Sequence, residues 1–210
     1  MRSRWAHWRP GILWTTLAAV TLIAGCRTAP PIQKAPPASQ AWEATRSALQ
    51  GRDHFALKGR VAVAAGKDGF SASLRWTQAG SRSQVALEGP LGAGAVQITS
   101  DGDALSIVNS HGDHLDSEAA RADLEARLGF DPPLGSLRYW LQGVPDPKTP
   151  AKETVDPQQQ RLQSLQQDGW QIDYTGYMPG SGAGDAWLPS RLTVQRTGVR
   201  VRLIVDGWTS

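Results

Sequence analysis

Phe55-Ala56-Leu57-Lys58-Gly59-Arg60-Val61-Ala62-Val63, then Gly66-Lys67-Asp68-Gly69, then Phe70-Ser71-Ala72-Ser73-Leu74-Arg75-Trp76-Thr77 is the stretch that decides the fold class. Phe55, Leu57, Gly59, Val61 and Val63 alternate with Ala56, Lys58, Arg60 and Ala62. Phe70, Ala72, Leu74 and Trp76 alternate with Ser71, Ser73, Arg75 and Thr77. A period of two with one apolar and one polar face predicts half-buried antiparallel strands. The Gly-Lys-Asp-Gly run between them is the turn.

Working outward, further strands are expected around residues 84–87, 95–99 and 104–108, joined by Gly and Asp turns. Before them, Ser39 is placed to cap a helix over 39–50, with Ala41, Trp42, Thr45 and Leu49 on its apolar side and Gly51 at its end. The middle of the chain turns helical. Ser117 is placed to cap a helix over 118–128 that Gly129 stops. After Pro132-Pro133, a second helix carries Leu134, Leu137, Trp140 and Leu141, and ends at Gly143. Residues 144–158 read as a Pro- and Lys-containing loop. Strands resume over 160–167 and 170–175, around the hairpin dipeptide Asp168-Gly169. A Gly-rich loop follows over 178–187. The last pair spans 191–196 and 199–205, joined at Thr197-Gly198, with Trp208 beyond it. The sum is α+β: about eight to eleven antiparallel strands interrupted once by two helices. A sheet of that many strands tends to curl, and the helices can cover its mouth. An apolar concavity beneath them is the expected binding site.

The chemistry of enzymes is hard to find. His54, His111 and His114 are the histidines after residue 25. His111-Gly112-Asp113-His114 lacks the spacing of common zinc sites. No serine sits in a Gly-x-Ser-x-Gly elbow, and Gly89, Gly92 and Gly94 make neither a dinucleotide fingerprint nor a P-loop. With no nucleotide site, transport by this chain would run downhill. No catalytic residue, metal or cofactor is expected. Gly89-Pro90-Leu91-Gly92-Ala93-Gly94-Ala95 is unusual for a connection between strands, because an apolar Leu91 stands where polar residues are the rule. Leu91 either points outward from that loop or tucks back onto the sheet. Trp76, Trp140, Trp170, Trp187 and Trp208 serve as core filling or as cavity walls. Trp76, Leu74, Leu137, Trp140 and Leu141 are the candidate lining of that concavity.

The N-terminal residues carry a separate message. Arg2, Arg4 and Arg9 precede an uncharged, mostly apolar run over 11–23, which is shorter than the ~20 residues of a membrane span. Ile23-Ala24-Gly25-Cys26 resembles the lipobox of bacterial lipoprotein precursors. That resemblance implies removal of residues 1–25, with an S-diacylglyceryl group and an N-acyl group on Cys26. Cys26 is the only cysteine, so no disulfide is available to the exported fold. The full chain holds 22 Lys and Arg against 19 Asp and Glu. The three arginines of the leader account for the difference, so the basic balance gives no support to nucleic-acid binding. Residues 26–40, with Pro30, Pro31, Pro36 and Pro37, read as a tether. The remaining 41–210 suit one domain. Arg27 follows the cysteine where inner-membrane lipoproteins usually have Asp, which by resemblance directs the protein to the outer membrane, lipid-anchored on its periplasmic face.

The domain itself resembles the LolB family over residues 41–210. The resemblance is carried by Lys58-Gly59-Arg60-Val61-Ala62-Val63, Leu74-Arg75-Trp76 and Gly89-Pro90-Leu91-Gly92. It continues in Leu134-Gly135-Ser136-Leu137-Arg138-Tyr139-Trp140-Leu141-Gln142-Gly143-Val144-Pro145 and in the terminal strand before Trp208. The residues 180–185 look like an insertion. The resemblance implies an unclosed β-barrel with an α-helical lid over an apolar cavity. It also implies a receptor that accepts acylated lipoproteins from the periplasmic carrier LolA and inserts them into the outer membrane without ATP. By position in the motif, Leu91, flanked by Pro90 and Gly92, is the membrane-insertion residue. The implied partners are loaded LolA, lipoprotein acyl chains and outer-membrane lipid, and the implied state is a monomer. Two other classes remain open: an assembly scaffold with a solid core, and an exported hydrolase built around one of the histidines.

Overall fold

The alternating stretch forms β1 (His54–Ala65) and β2 (Asp68–Ala79). They pair antiparallel from His54 opposite Ala79 to Ala65 opposite Asp68, so the turn is only Gly66-Lys67, and Asp68 and Gly69 belong to β2. In the computed structural model, residues 38–90, 94–181 and 186–209 are described. Cys26 and residues 26–37 of the tether lie outside them, as do Leu91 and Gly92, while residues 38–40, expected in the tether, are helical.

The remaining strands are β3 (Arg82–Glu88), β4 (Val96–Asp101), β5 (Ala104–Asn109), β6 (His114–Asp116), β7 (Ala151–Asp156), β8 (Arg161–Gln167), β9 (Trp170–Pro179), β10 (Trp187–Arg196) and β11 (Val199–Thr209). All belong to one eleven-stranded sheet in the order β6-β5-β4-β3-β2-β1-β11-β10-β9-β8-β7. Two meanders therefore meet at a central seam, where β1 pairs antiparallel with β11. The two ends, β6 and β7, do not pair with each other. The result is an open, curved antiparallel sheet, an unclosed barrel with two edges. Right-handed twist accumulated over this many strands curls the sheet.

Among the described residues, three helices complete the domain: α1 (Ala38–Gln50), α2 (Ser117–Leu128) and α3 (Leu134–Leu141). The crossing from β6 to β7 carries α2 and α3 over the mouth of the sheet. The inward residues of the strands and the undersides of these helices form one core, in which Ile107, Leu162, Leu165 and Ile172 are essentially inaccessible. Each such side chain contributes about 1.5–3 kcal/mol by leaving water. The core and the whole sheet lie within 38–209, and residues Pro36–Ser210 form a compact unit of their own. A unit with its own core folds independently.

The seam depends on Gly59. The β1–β11 register shifts between Lys58 and Gly59, and a Cβ on Gly59 would fall 2.2 Å from the Ile204 carbonyl oxygen. Glycine in a strand interior marks this kind of bulge with close backbone approach. At the other hairpin, Asp168 and Gly169 have φ of 51° and 76°, as a turn with both central residues left-handed requires.

Several sequence expectations need correction. The expected loop 144–158 contains β7, a sheet edge whose sequence, Ala-Lys-Glu-Thr-Val-Asp, is largely polar. Contact with α1 replaces an apolar stripe there: the Trp42 indole and the Arg46 guanidinium donate to the two Glu153 carboxylate oxygens, both at 2.8 Å. The polar stretch before α2 contains the short β6, paired with β5. β10 starts at Trp187 rather than 191. Ser39 lies inside α1, which begins at Ala38. Ser117 does not cap α2. It has φ of 52°, and Asp116 at the cap position makes no side-chain capping hydrogen bond. The stop at Gly129 is as expected, with φ of 75° and its N–H donated to Glu125.

Candidate functional site: an apolar cavity under a helical lid

Between the sheet and the lid lies a cavity of about 100 Å³. Its sheet wall comes from the inward positions of β1 to β4 and β9 to β11, including Val61, Val63, Leu74, Ile98, Val194 and Val201. Its roof comes from Leu128 at the end of α2, the linker residues Phe130, Pro132 and Pro133, and Leu134 and Leu137 of α3. Every lining side chain is apolar. The alternation of the strands explains the wall, since each second residue must face in. Pro132 and Pro133 explain the roof's dryness. Proline has no N–H, so this stretch of linker can cross an apolar space without presenting an unsatisfied donor. Their carbonyls accept from Leu134, Ser136 and Leu137 at 2.8–3.0 Å, which starts α3.

Of the residues named from sequence, Leu74 and Leu137 line this cavity. Trp76, Trp140 and Leu141 are buried but do not. The Trp76 indole donates to Gln78 at 3.1 Å. The Trp140 indole donates to Gln167 Oε1 at 2.8 Å. An indole N–H inside a protein needs an acceptor, and each of these two finds it in a buried glutamine beside the cavity rather than in it. Gln167 is the hub of that arrangement: its Oε1 also accepts from the Asp146 amide at 2.9 Å, and its amide group donates to the Asp146 and Thr149 carbonyls and to the Thr149 hydroxyl. It ties α3 and the following turn to β8. Tyr174 reinforces the same contact by donating to the Trp140 carbonyl at 2.9 Å. Burial pushes the Tyr174 hydroxyl well above its ordinary pKa, and does the same to Tyr177.

Phe130 and Trp170 are cavity residues that the sequence reading did not single out as such. Their rings lie 5.7 Å apart, and the Arg196 guanidinium covers Trp170 from outside at 4.5 Å. Parity along β9 marks Trp170 as inward. Nothing in the sequence around Phe130 signals its position, because it sits in an irregular linker.

A second hollow, of about 340 Å³, adjoins the cavity. Phe70, Leu87, Ile98 and Leu128 line both. Its outer rim is made by Gly89, Pro90 and Gly94, the two feet of the loop that carries Leu91. Pro90 is exposed there. Arg127 also borders the hollow, held by Asp123 at 2.6 Å, which raises the guanidinium's pKa. An apolar path thus runs from the rim loop to the space under the lid.

The histidines do not join this site. His114 pairs with Asp116 at 2.9 Å and His54 lies 3.8 Å from Asp53, all four side chains exposed. The stretch from Asn109 to Asp113 is a turn organised by the Asn109 side chain, whose Oδ1 accepts from the amides of His111 and Asp113. Among the described residues, no group of three potential ligands could hold a metal ion.

The sequence profile of the family described as "Outer membrane lipoprotein LolB" matches residues 53–208. The chain belongs to the LolB family. Among curated LolB relatives, the outer-membrane lipoprotein LolB of Pseudomonas aeruginosa (strain LESB58) is 32% identical over 198 residues, covering 93% of this chain and 95% of the relative. The LolB of Nitrosococcus oceani is 33% identical over 195 residues, covering 91% and 94%. In three dimensions the chain is similar to an outer-membrane lipoprotein-sorting protein domain from Vibrio parahaemolyticus. The TM-score is 0.51 at 10% identity, over 82% of this chain and 92% of that one. That likeness concerns the fold alone. The LolB family is one of lipoproteins of the localisation pathway, named for the outer membrane. No described helix is long and apolar enough to cross a membrane.

Proposed function

We propose that this protein accepts acylated lipoproteins from a periplasmic LolA-type carrier and inserts them into the outer membrane without ATP, as a lipid-anchored monomer held by Cys26. The observation that carries the reading is the all-apolar cavity under the lid, together with the hollow that links it to the rim loop. An acyl chain with about fifteen buried carbons gains on the order of 12 kcal/mol on leaving water, at about 0.8 per CH₂. Such a chain cannot travel through water unshielded. Transfer without nucleotide then requires only that the acceptor bind the chain more favourably than the donor.

The cavity as it stands is small. Pockets that hold ligands of drug size run from about 300 to 1,000 Å³. Burying a chain under the lid therefore requires the segment from Leu128 to Leu137 to lift from the sheet. Its apolar underside then becomes the wall of a larger cleft, continuous with the hollow at the rim. In this reading Leu91 is the residue that enters the bilayer during release, and Leu74 and Leu137 contact the chain.

Leu91→Glu separates the two steps. Uptake of a labelled acylated lipoprotein from the carrier should persist, while its delivery into liposomes should fall sharply. A folded Leu91→Glu protein that no longer takes up cargo would contradict this division of labour.

A further inference from the structure

The outward side of the central strands carries a second feature, separate from the cavity. Lys58 and Arg60 of β1, Arg75 of β2, Arg191 of β10, and Arg200 and Arg202 of β11 are all exposed on that convex face. Arg60 is paired with Asp206 at 3.1 Å and Arg75 with Glu88 at 3.6 Å. Among the described residues, Lys58, Arg191 and Arg202 have no carboxylate within ion-pair distance. Lys58 stands directly opposite Arg75 across the β1–β2 ladder, an arrangement that disfavours the isolated fold. The lid side is the opposite. Residues 101–131 hold eight carboxylates against two arginines. The domain is therefore polarised.

The basic face has an apolar centre. Ile204 is 38% exposed and lies in register between Arg60 on one side and Arg191 on the other. A shallow hollow lined by Arg60, Arg202, Ile204 and Ser73 runs from this centre to Glu88, Gly89 and Pro90 at the foot of the rim loop. We propose that this convex face docks on the anionic headgroups of a bilayer and so sets the orientation in which the rim loop meets the membrane. The charge complementarity, the exposed isoleucine among the cations and the continuity with the loop all fit a lipid surface. The acidic lid would be repelled from the same surface and left facing the aqueous side. Such attraction acts within a Debye length of about 8–10 Å, so orientation, and not net charge, decides binding. The inference rests on the receptor reading only in giving the loop a membrane role.

The test is sedimentation of the Pro36–Ser210 unit with vesicles of phosphatidylcholine alone and of an equimolar mixture with phosphatidylglycerol. Binding should favour the anionic vesicles and fall with added salt. Lys58→Ser/Arg191→Ser/Arg202→Ser breaks no ion pair. It should weaken that binding on the order of a hundredfold, at about fivefold per cation near the surface. Lys148→Ser/Lys152→Ser, at the far edge of the sheet on and beside β7, should leave it unchanged. Equal partitioning of the parent into both vesicles, or equal loss in both variants, would overturn the proposal. So would a triple variant that keeps its vesicle binding but loses transfer from the carrier, because the face would then serve an acidic protein. Failure of acyl uptake with anionic selectivity intact would instead count against the receptor reading and leave this one standing.

Discussion

If cargo enters by lifting the lid linker, a bond that pins the linker should abolish uptake reversibly. Gly129, which ends α2, sits against the end of β1: a Cβ built on it falls 2.9 Å from the Ala65 Cβ. Disulfides need a Cβ separation of about 3.5–4.5 Å, so Ala65→Cys/Gly129→Cys needs a shift of about an ångström or less. The left-handed φ at Gly129 adds roughly 1–2 kcal/mol of strain for any L side chain, which lowers stability without changing the fold. With the linker pinned, the space under the lid stays near 100 Å³, about the share of liquid volume taken by three waters, and the hollow beside it at the rim is open to solvent. A chain limited to three or four buried carbons gains about 3 kcal/mol instead of about 12. Uptake by the oxidised protein should fall below detection. The assay is transfer of a fluorescent acylated lipoprotein from its carrier to the Pro36–Ser210 unit, which lacks Cys26, before and after reduction. Recovery on reduction is the expected result. Full uptake by a protein shown to be oxidised would refute the opening step.

Other expectations follow from packing and ionisation. Gly59→Ala should destabilise the fold by at least about 1–3 kcal/mol in chemical denaturation, since the added carbon meets a backbone oxygen across the seam. Gln167→Leu leaves the Trp140 indole and the Asp146 amide buried without acceptors. At about 1–3 kcal/mol for each, its melting midpoint should drop well below that of the parent. Tyr174 is buried neutral, so its folded pKa lies above the unfolded value of about 10. The stability it contributes is fully present below that pH and is lost as pH rises through the folded pKa. Tyrosinate absorbance should therefore lag that of free tyrosine and rise together with alkaline unfolding, and Tyr174→Phe should lessen that coupling.

The parts of the fold that were legible in the sequence are those where one face is wet and the other dry. β1, β2 and β11 alternate because no other described element of the domain covers their outward sides, with Ile204 of β11 as the apolar exception. β7 was hidden because it is an edge, with a polar sequence satisfied by Trp42 and Arg46 of α1. The short β6 was hidden because three residues cannot show a period. The cavity was legible only in part. Leu74 and Leu137 could be named from strand parity and helix face. Trp140 lies on the buried side of the same helix as Leu137, yet its indole turns to Gln167 on a strand remote in sequence. No local pattern carries that partnership, and none marks Phe130 as part of the roof.

The central claim is most directly tested by mixing the Pro36–Ser210 unit with a carrier loaded with a labelled lipoprotein, with no nucleotide present, and following the label. The account predicts that label moves to the domain and then, when liposomes are added, into the membrane. An active carrier that retains its label in the presence of the folded domain would contradict it.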